Sequence, residues 1–274
     1  MQSRAKDIRM SRLFGDDQNA VIVAADHGQT LGPVEGLRDY PAAMARLKEA
    51  DGVLMAPFMS MFTGDLFYGK NAPAMVLRLN WCSGLALSWG YANSRTVSLV
   101  TVEEALALGA DIVLANLTLQ TGDEGTDAEN ARVFGRIAAE KECLGVPLIG
   151  EVFPAEPVRL KLTADEWHLH IKTVVRIAVE MGADMIKTYY TGDRWNEVCE
   201  GVQVPVFGLG SEKTPRSIDA LNLAQQEIKA GARGVVFGRN VIQHRQPERF
   251  LAALKEVVKA DADPAEALKN HGLE

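Results

Sequence analysis

Lys187, Glu151, Asp26 and Arg78 each stand at or near the end of a short apolar run, where a charged side chain is costly unless it has a task. Lys187 closes the run Asp184 to Thr188. Burial there favours the neutral amine, which can add to a carbonyl and form a Schiff base. The same lysine could instead carry its head out to solvent at a strand end. Imine chemistry also needs groups that move protons during carbinolamine formation and dehydration, and an acid or base for the carbon-carbon step. Asp26 and Glu151 are the candidates. Opposite charges on Asp26 and Lys187 predict an ion pair between them, which would oppose the desolvation of the amine. Taken alone, Asp26-His27-Gly28 reads equally well as a polar turn.

The apolar runs that carry these groups recur along the chain at Val21 to Ala25, Val53 to Ala56, Met75 to Leu79, Ile112 to Ala115, Pro147 to Val152, Asp184 to Thr188, Val204 to Phe207 and Gly234 to Phe237. Their length and β-branched content predict strands. Between them lie amphipathic stretches rich in Ala, Leu, Glu, Lys and Arg: Pro41 to Ala50, Val102 to Leu108, Ala128 to Cys143, Asp165 to Met181, Pro215 to Ala230 and Pro247 to Val258. These predict helices. Gly-Ala pairs at 109, 182 and 231 fall where a helix should stop before the next strand.

Strict alternation of strand and helix implies a parallel sheet. Eight such units closing on themselves make a (β/α)8 TIM barrel, whose usual size of roughly 250 residues suits a chain of 274. An open doubly wound sheet is the other solution, but the segment Asp26 to Gly32 lacks the GxGxxG spacing of a dinucleotide fold. No linker or low-complexity tract divides the chain. The expected organisation is a single α/β domain: an N-terminal helical segment over 1–19, the barrel over 20–260, and a C-terminal helix or tail over 261–274.

In such a barrel the C-terminal strand ends carry the chemistry. The loop after the seventh strand reads Gly208-Leu209-Gly210-Ser211, and the loop after the eighth reads Gly238-Arg239-Asn240. Small residues there expose backbone N–H groups, a helix start adds partial positive charge, and Arg239 would complete an anion clamp. The expected ligand is therefore a phosphorylated carbonyl compound. Of the five histidines only His27 falls at this rim, and His168 and His170 are two apart on a helix, so they do not share a face. No set of metal ligands is expected, which disfavours a metal-dependent aldolase. Phe58, Met59, Met61, Phe62 and Phe67 read as helix packing or pocket lining.

Composition narrows the setting. A hydrophobic fraction of 47% and a charged fraction of 24% suit a globular protein, and no tract is long and apolar enough to span a bilayer. The net charge of −7 speaks against a nucleic-acid or anionic-membrane surface while leaving room for a local phosphate pocket. Met1 to Lys6 lacks the apolar core of a signal peptide, so a cytoplasmic address is expected. Cys82, Cys143 and Cys199 are widely spaced and read as free thiols.

The chain resembles the class I aldolase family of the DeoC and archaeal fructose-bisphosphate aldolase kind, which also contains aminodideoxyheptulosonate synthase and the thiolase acting on phosphorylated autoinducer-2. The likeness runs from Arg12 through Val258. It is strongest in Asp26-His27-Gly28 with Gly32-Pro33-Val34-Glu35-Gly36-Leu37, in Ile186-Lys187-Thr188-Tyr189-Tyr190-Thr191-Gly192-Asp193, and in Gly238-Arg239-Asn240-Val241-Ile242-Gln243-His244. The resemblance implies Lys187 as the Schiff-base lysine, Asp26 as its acid/base partner, and a phosphate held by Gly210, Ser211, Gly238 and Arg239. It also implies assembly into a homo-oligomer, with decamers frequent in the family.

One position departs from the pattern. Where the fructose-bisphosphate aldolases and the heptulosonate synthase carry a tyrosine proton donor before a proline, this chain has Phe153 before Pro154. The thiolase branch lacks that tyrosine too and shares Ile-Lys-Thr-Tyr-Tyr, so it is the nearer relative, although Thr191-Gly192-Asp193 is more like the aldolases. Glu151 lies on the same strand face two residues earlier and is the candidate to take over proton transfer. Tyr189 points inward by the same count from Lys187.

The expected function is a class I aldolase-type lyase or thiolase that forms an imine between Lys187 and a phosphorylated ketone and makes or breaks a carbon-carbon bond. Catalytic candidates are Lys187, Asp26, Glu151 and Tyr189. Substrate-binding candidates are His27, Arg78, Gly210, Ser211, Gly238 and Arg239. No cofactor is expected beyond the covalent imine, with coenzyme A as a co-substrate in the thiolase case. The competing reading is a sugar-phosphate-binding barrel without imine chemistry, an isomerase or a sensor.

Overall fold

The computed structural model describes residues 4–16, 19–91, 93–155 and 161–273. Residues 1–3, 17 and 18 of the expected N-terminal segment and residue 274 of the expected tail lie outside them. Eight parallel strands close into a barrel: β1 (Ala20–Ala24), β2 (Gly52–Met55), β3 (Ala74–Arg78), β6 (Ile112–Leu117), β7 (Leu148–Val152), β8 (Met185–Thr188), β9 (Val206–Leu209) and β10 (Gly234–Phe237). The chain forms the TIM barrel, not the open sheet, because β10 pairs with β1 in parallel, Ala20 opposite Gly234.

Each strand is buried on both faces, and the alternation of side chains divides the apolar residues into two cores. Ile22, Leu54, Val76, Leu114, Ile149, Met185, Phe207 and Val236 fill the barrel interior. Val23, Val53, Leu77, Val113, Leu148, Ile186 and Val235 face outward and pack with residues of the surrounding helices. Full burial of one such side chain contributes about 1.5–3 kcal/mol.

The bottom of the barrel is closed by the helix Arg4–Phe14. Its Leu13 belongs to the interior core and Phe14 stacks on Phe207 with ring centroids 5.9 Å apart. Three aspartates tie neighbouring strands together at this end. Asp51, Asp111 and Asp184 each precede a strand and accept the amide of Val21 (2.7 Å), Met75 (2.9 Å) and Leu148 (2.8 Å) on the strand beside it. Each also meets a cation: Lys259 at Asp51, Arg12 at Asp111, Lys141 at Asp184. Two of them follow Gly-Ala pairs, whose glycines adopt the left-handed backbone that ends the preceding helix, Gly109 at φ +100° and Gly182 at φ +105°.

The helices follow the predicted periodicity with shifted ends, as at Glu124–Leu144, Ala164–Glu180 and Pro247–Ala260. Thr163 accepts from the Glu166 amide and Glu166 reaches back to the Thr163 amide, a reciprocal cap that fixes where the second of these begins. A further helix, Pro264–Asn270, follows Asp261. An antiparallel hairpin, β4 (Asn80–Cys82) with β5 (Thr96–Ser98), was not read from sequence because its strands have only three residues each.

The Phe/Met cluster after β2 corrects an expectation. Met59 and Phe67 pack against the core, but Phe58, Met61 and Phe62 lie on a 3-10 turn over Pro57–Phe62 and are 60%, 68% and 50% exposed. Among the described residues no helix is long and apolar enough to cross a membrane.

Candidate active site

The interior alternation that places Ile149 and Met185 in the apolar core places Glu151 and Lys187 two residues higher on the same strands, facing the same way. Glu151 and Lys187 are register partners on adjacent parallel strands. Asp26 continues the inward series of Ala20, Ile22 and Ala24, and Arg78 that of Ala74 and Val76. At this level the barrel filling changes from hydrocarbon to charge.

The four charged groups form one buried network. Arg78 Nε donates to Asp26 Oδ2 at 2.6 Å, while Nη1 and Nη2 donate to the two oxygens of Glu151 at 2.6 and 2.7 Å. Lys187 Nζ donates to Glu151 Oε1 at 2.7 Å. Residue exposure is 7% for Asp26, 4% for Arg78, 0% for Glu151 and 6% for Lys187. Charges this deep persist only when paired and hydrogen-bonded. The predicted contact between Asp26 and Lys187 is replaced by one through Arg78, because the planar guanidinium reaches both carboxylates at once.

Burial alone would raise the Asp26 carboxyl, but the cations of Arg78 and Lys187 outweigh it and hold it down to about 2. Glu151 is likewise penalised by burial and still lowered by the same two cations. Arg78 moves up, its desolvation being overcome by Glu151 and Asp26. His27 moves down to about 4, mainly through burial, with Asp26 opposing and Lys187 and Arg239 reinforcing. Both carboxylates are thus ionised and His27 neutral near pH 7.

A pocket opens above this network. All ten residues singled out from sequence line it: Lys187, Asp26, Glu151, Tyr189, His27, Arg78, Gly210, Ser211, Gly238 and Arg239. Phe153 and Pro154 line it too, and the Phe153 ring packs on Tyr189 with centroids 5.0 Å apart and on Lys187 Nζ at 5.7 Å. The structure engages Arg78 differently from the sequence reading: it lines the pocket, but its Nε, Nη1 and Nη2 all donate to Asp26 and Glu151.

The loops after β9 and β10 meet as expected. Arg239 Nη2 donates to the Ser211 carbonyl at 3.1 Å, and its buried Nε has no hydrogen-bond partner among the described residues. Ser211 adopts φ +49°. Gly238 lies so close to His27 that a Cβ there would stand 2.3 Å from the imidazole Cε1. The helix after Gly238 is a single turn, Arg239–Ile242.

Sequence reading missed two supporting asparagines. Asn240 Nδ2 donates to the carbonyls of Gly210 (2.8 Å) and Glu212 (3.1 Å), and its Oδ1 accepts from the Thr214 amide at 2.8 Å, binding one loop to the other. Asn116, fully buried, exchanges backbone–amide hydrogen bonds with Asn80 and donates to the Glu151 carbonyl at 3.3 Å. It lies one residue past the predicted end of its strand. The period-two series Ile112, Leu114, Asn116 was the available signal. His168 and His170 are held elsewhere, by Thr191 (2.8 Å) and by Gln120.

Comparison with known proteins agrees with this geometry. The profile of the DeoC/LacD family aldolases matches residues 20–244. The chain is 31% identical over 271 residues to an uncharacterized aldolase of Saccharolobus solfataricus, covering 96% of this chain and 97% of that protein. It is 31% identical over 280 residues to the 2-amino-3,7-dideoxy-D-threo-hept-6-ulosonate synthase of Halobacterium salinarum, covering 100% and 98%. It is 30% identical over 262 residues to the 3-hydroxy-5-phosphonooxypentane-2,4-dione thiolase of Yersinia enterocolitica, covering 95% and 84%. Among solved structures, an archaeal fructose-1,6-bisphosphate aldolase whose catalytic lysine is bound to the substrate's carbinolamine intermediate superposes with a TM-score of 0.77 at 27% identity, over 93% of this chain and 99% of that one. The buried lysine network at the barrel mouth and these likenesses along the whole chain have one reading: the protein belongs to the DeoC/LacD family of aldolases and is an enzyme of the class I, Schiff-base type.

Proposed function

We propose that Lys187 is the imine-forming nucleophile, acting on a phosphorylated ketone whose phosphate lies between the loops at Gly210–Ser211 and Gly238–Arg239. The observation that carries this reading is the 2.7 Å contact of Lys187 Nζ with Glu151 Oε1 inside a buried network that lines a pocket. Glu151 takes a proton from the ammonium, and the neutral amine adds to the carbonyl carbon. The carbinolamine oxygen then leaves as water, carrying two protons that came from nitrogen. The net change converts ammonium and ketone to protonated imine and water.

That balance explains why two carboxylates accompany two cations. The ammonium and the protonated imine each carry one positive charge, so the pairing with Arg78, Asp26 and Glu151 is the same before and after dehydration. Breaking the carbon-carbon bond sends its electron pair into the imine, giving a neutral enamine. Asp26 or Glu151 accepts the hydroxyl proton of the departing aldehyde. Phe153 cannot exchange a proton, so this burden falls on the carboxylates, with Tyr189 beside them. Where the acceptor is a thiol such as coenzyme A, a carboxylate takes the S–H proton, the sulfur adds to the second carbonyl of the substrate, and breaking the carbon-carbon bond re-forms that carbonyl as a thioester while the electron pair passes into the imine.

Homo-oligomeric assembly is part of this proposal, supported by the exposed Phe58, Met61, Phe62 and Tyr68, which are unusually apolar for a free surface. The reaction is tested by incubating the protein with dihydroxyacetone phosphate or related phosphorylated ketones and borohydride. A stable adduct should appear on Lys187 by peptide mass. An unmodified Lys187 with every such ketone would overturn the assignment.

A further inference from the structure

We infer that Arg78 is a positioning residue that sets the proton traffic between Lys187, Glu151 and Asp26, and that it is not a ligand of the substrate phosphate. This inference rests on the assignment of Lys187 as the nucleophile.

Geometry separates the two roles. Arg78 ends β3, and its guanidinium lies between Asp26, beyond β1, and Glu151 on β7. Nε is engaged by Asp26 Oδ2 and the two terminal nitrogens by the two oxygens of Glu151, at 2.6 to 2.7 Å. A guanidinium has five N–H groups, and the three nitrogens that bear them are already held in a fixed fork. Arg239 differs: it is more open, its side chain 24% exposed against 5% for Arg78, and it reaches Ser211 within the two glycine-rich loops. At Arg239 an incoming phosphate meets a cation whose carboxylate neighbour, Glu212, is 4.0 Å away and 83% exposed. At Arg78 it would have to displace buried carboxylates held at 2.6 Å.

The arrangement also dictates what each carboxylate can do. Arg78 binds Glu151 bidentately, so the proton of Lys187 meets Oε1 of a carboxylate already oriented by two parallel hydrogen bonds. It holds Asp26 through Oδ2 alone. Oδ1 accepts nothing from Arg78, and Asp26 lines the pocket. Arg78 therefore aims two bases at two different steps, Glu151 at imine formation and Asp26 at the carbon-carbon bond. It is also the largest opposite charge acting on either carboxylate, which keeps both ionised and ready to accept protons.

Lysine in place of Arg78 keeps a charge but has no fork. The test compares wild type, Arg78→Lys and Arg78→Met, measuring kcat and KM for the phosphorylated ketone against pH, borohydride trapping on Lys187, and thermal unfolding. Arg78→Lys should leave KM within about threefold, lower kcat by about tenfold or more, and move the acid limb of the pH profile upward. Arg78→Met should move that limb further. The inference is overturned if KM rises tenfold or more with kcat preserved, the mark of a direct phosphate ligand. It is also overturned if Arg78→Lys keeps the wild-type kcat and pH profile, even where Arg78→Met fails to fold. Trapping in wild type keeps the two ideas apart: no adduct there refutes the role of Lys187, whereas a wild-type adduct with unchanged Arg78 variants refutes only the role of Arg78.

Discussion

Lys187 and Glu151 are register partners on neighbouring strands, and the ammonium of one donates to the carboxylate of the other at 2.7 Å with both side chains almost wholly buried. The lysine does not sit alone in an apolar slot. It sits beside the carboxylate that the proposed reaction uses as its proton acceptor.

Glu151→Gln should therefore impair the enzyme in two ways. Turnover should fall by about 10²-fold or more, as expected for removal of a general base. Stability should fall by about 3 kcal/mol or more, because Arg78 and Lys187 lose a buried counter-charge. Steady-state kinetics and urea unfolding measure the two effects. Wild-type turnover in this variant would remove Glu151 from the proton path.

At the proposed phosphate site, Gly238→Ala inserts a methyl where the His27 ring and the Ala24 carbonyl already stand, the latter 2.9 Å from the new carbon. Displacing that contact should raise KM for a phosphorylated ketone by about tenfold, and should weaken competitive inhibition by inorganic phosphate in parallel. Equal inhibition constants for wild type and variant would mean that the anion binds elsewhere.

Acid should weaken the fold in two stages. His27 is held at about 4 against an ordinary 6.5, so folding favours its neutral form, and that contribution is complete above about pH 6.5 and lost as pH falls toward 4. Asp26 is held at about 2 against 3.8, so its contribution is complete above about pH 4 and lost as pH falls toward 2. His27→Gln should lose less stability than wild type between pH 6.5 and 4, as read from unfolding midpoints. Parallel curves for the two proteins would contradict the burial of a neutral imidazole.

Glu227, on the helix Ser217–Lys229, presents the opposite sign. Its carboxyl is fully buried against Gly208, neither oxygen has a hydrogen-bond partner among the described residues, and burial pushes its pKa well up. A raised carboxyl contributes stability below the ordinary 4.5 and loses it as pH rises from there. Glu227→Gln should be more stable than wild type at pH 8 by about 1 kcal/mol or more, with the advantage shrinking toward pH 4. A variant less stable at pH 8 would show that the carboxylate is paired in solution.

The alternation of apolar runs with amphipathic stretches made the barrel legible, since parallel strands buried on both faces are continuous hydrophobic segments. Lys187, Glu151 and Asp26 were visible because charge at the end of such a run is rare. What sequence could not supply was the partner of each charge. Asp26 and Lys187 were expected to meet directly, and only the position of Arg78 between β1 and β7 shows why they do not. Asn116 escaped because its strand continues two residues beyond the predicted run, to Leu117, and Asn240 because its work is to join backbone carbonyls that no pattern of side chains reveals. The hairpin of Asn80–Cys82 with Thr96–Ser98 is too short for any periodicity to show.

The helix that closes the barrel floor also governs traffic. With Leu13 and Phe14 seated beneath the strands, and Phe207 and Met185 in the apolar filling of the interior, the described residues leave the pocket to open at the mouth of the barrel. The water expelled when the imine forms and the water needed to hydrolyse it pass the same rim as the substrate and both products. Phe153 and Tyr189 line that mouth, so under the proposed reaction they lie on the path that substrate, water and products share.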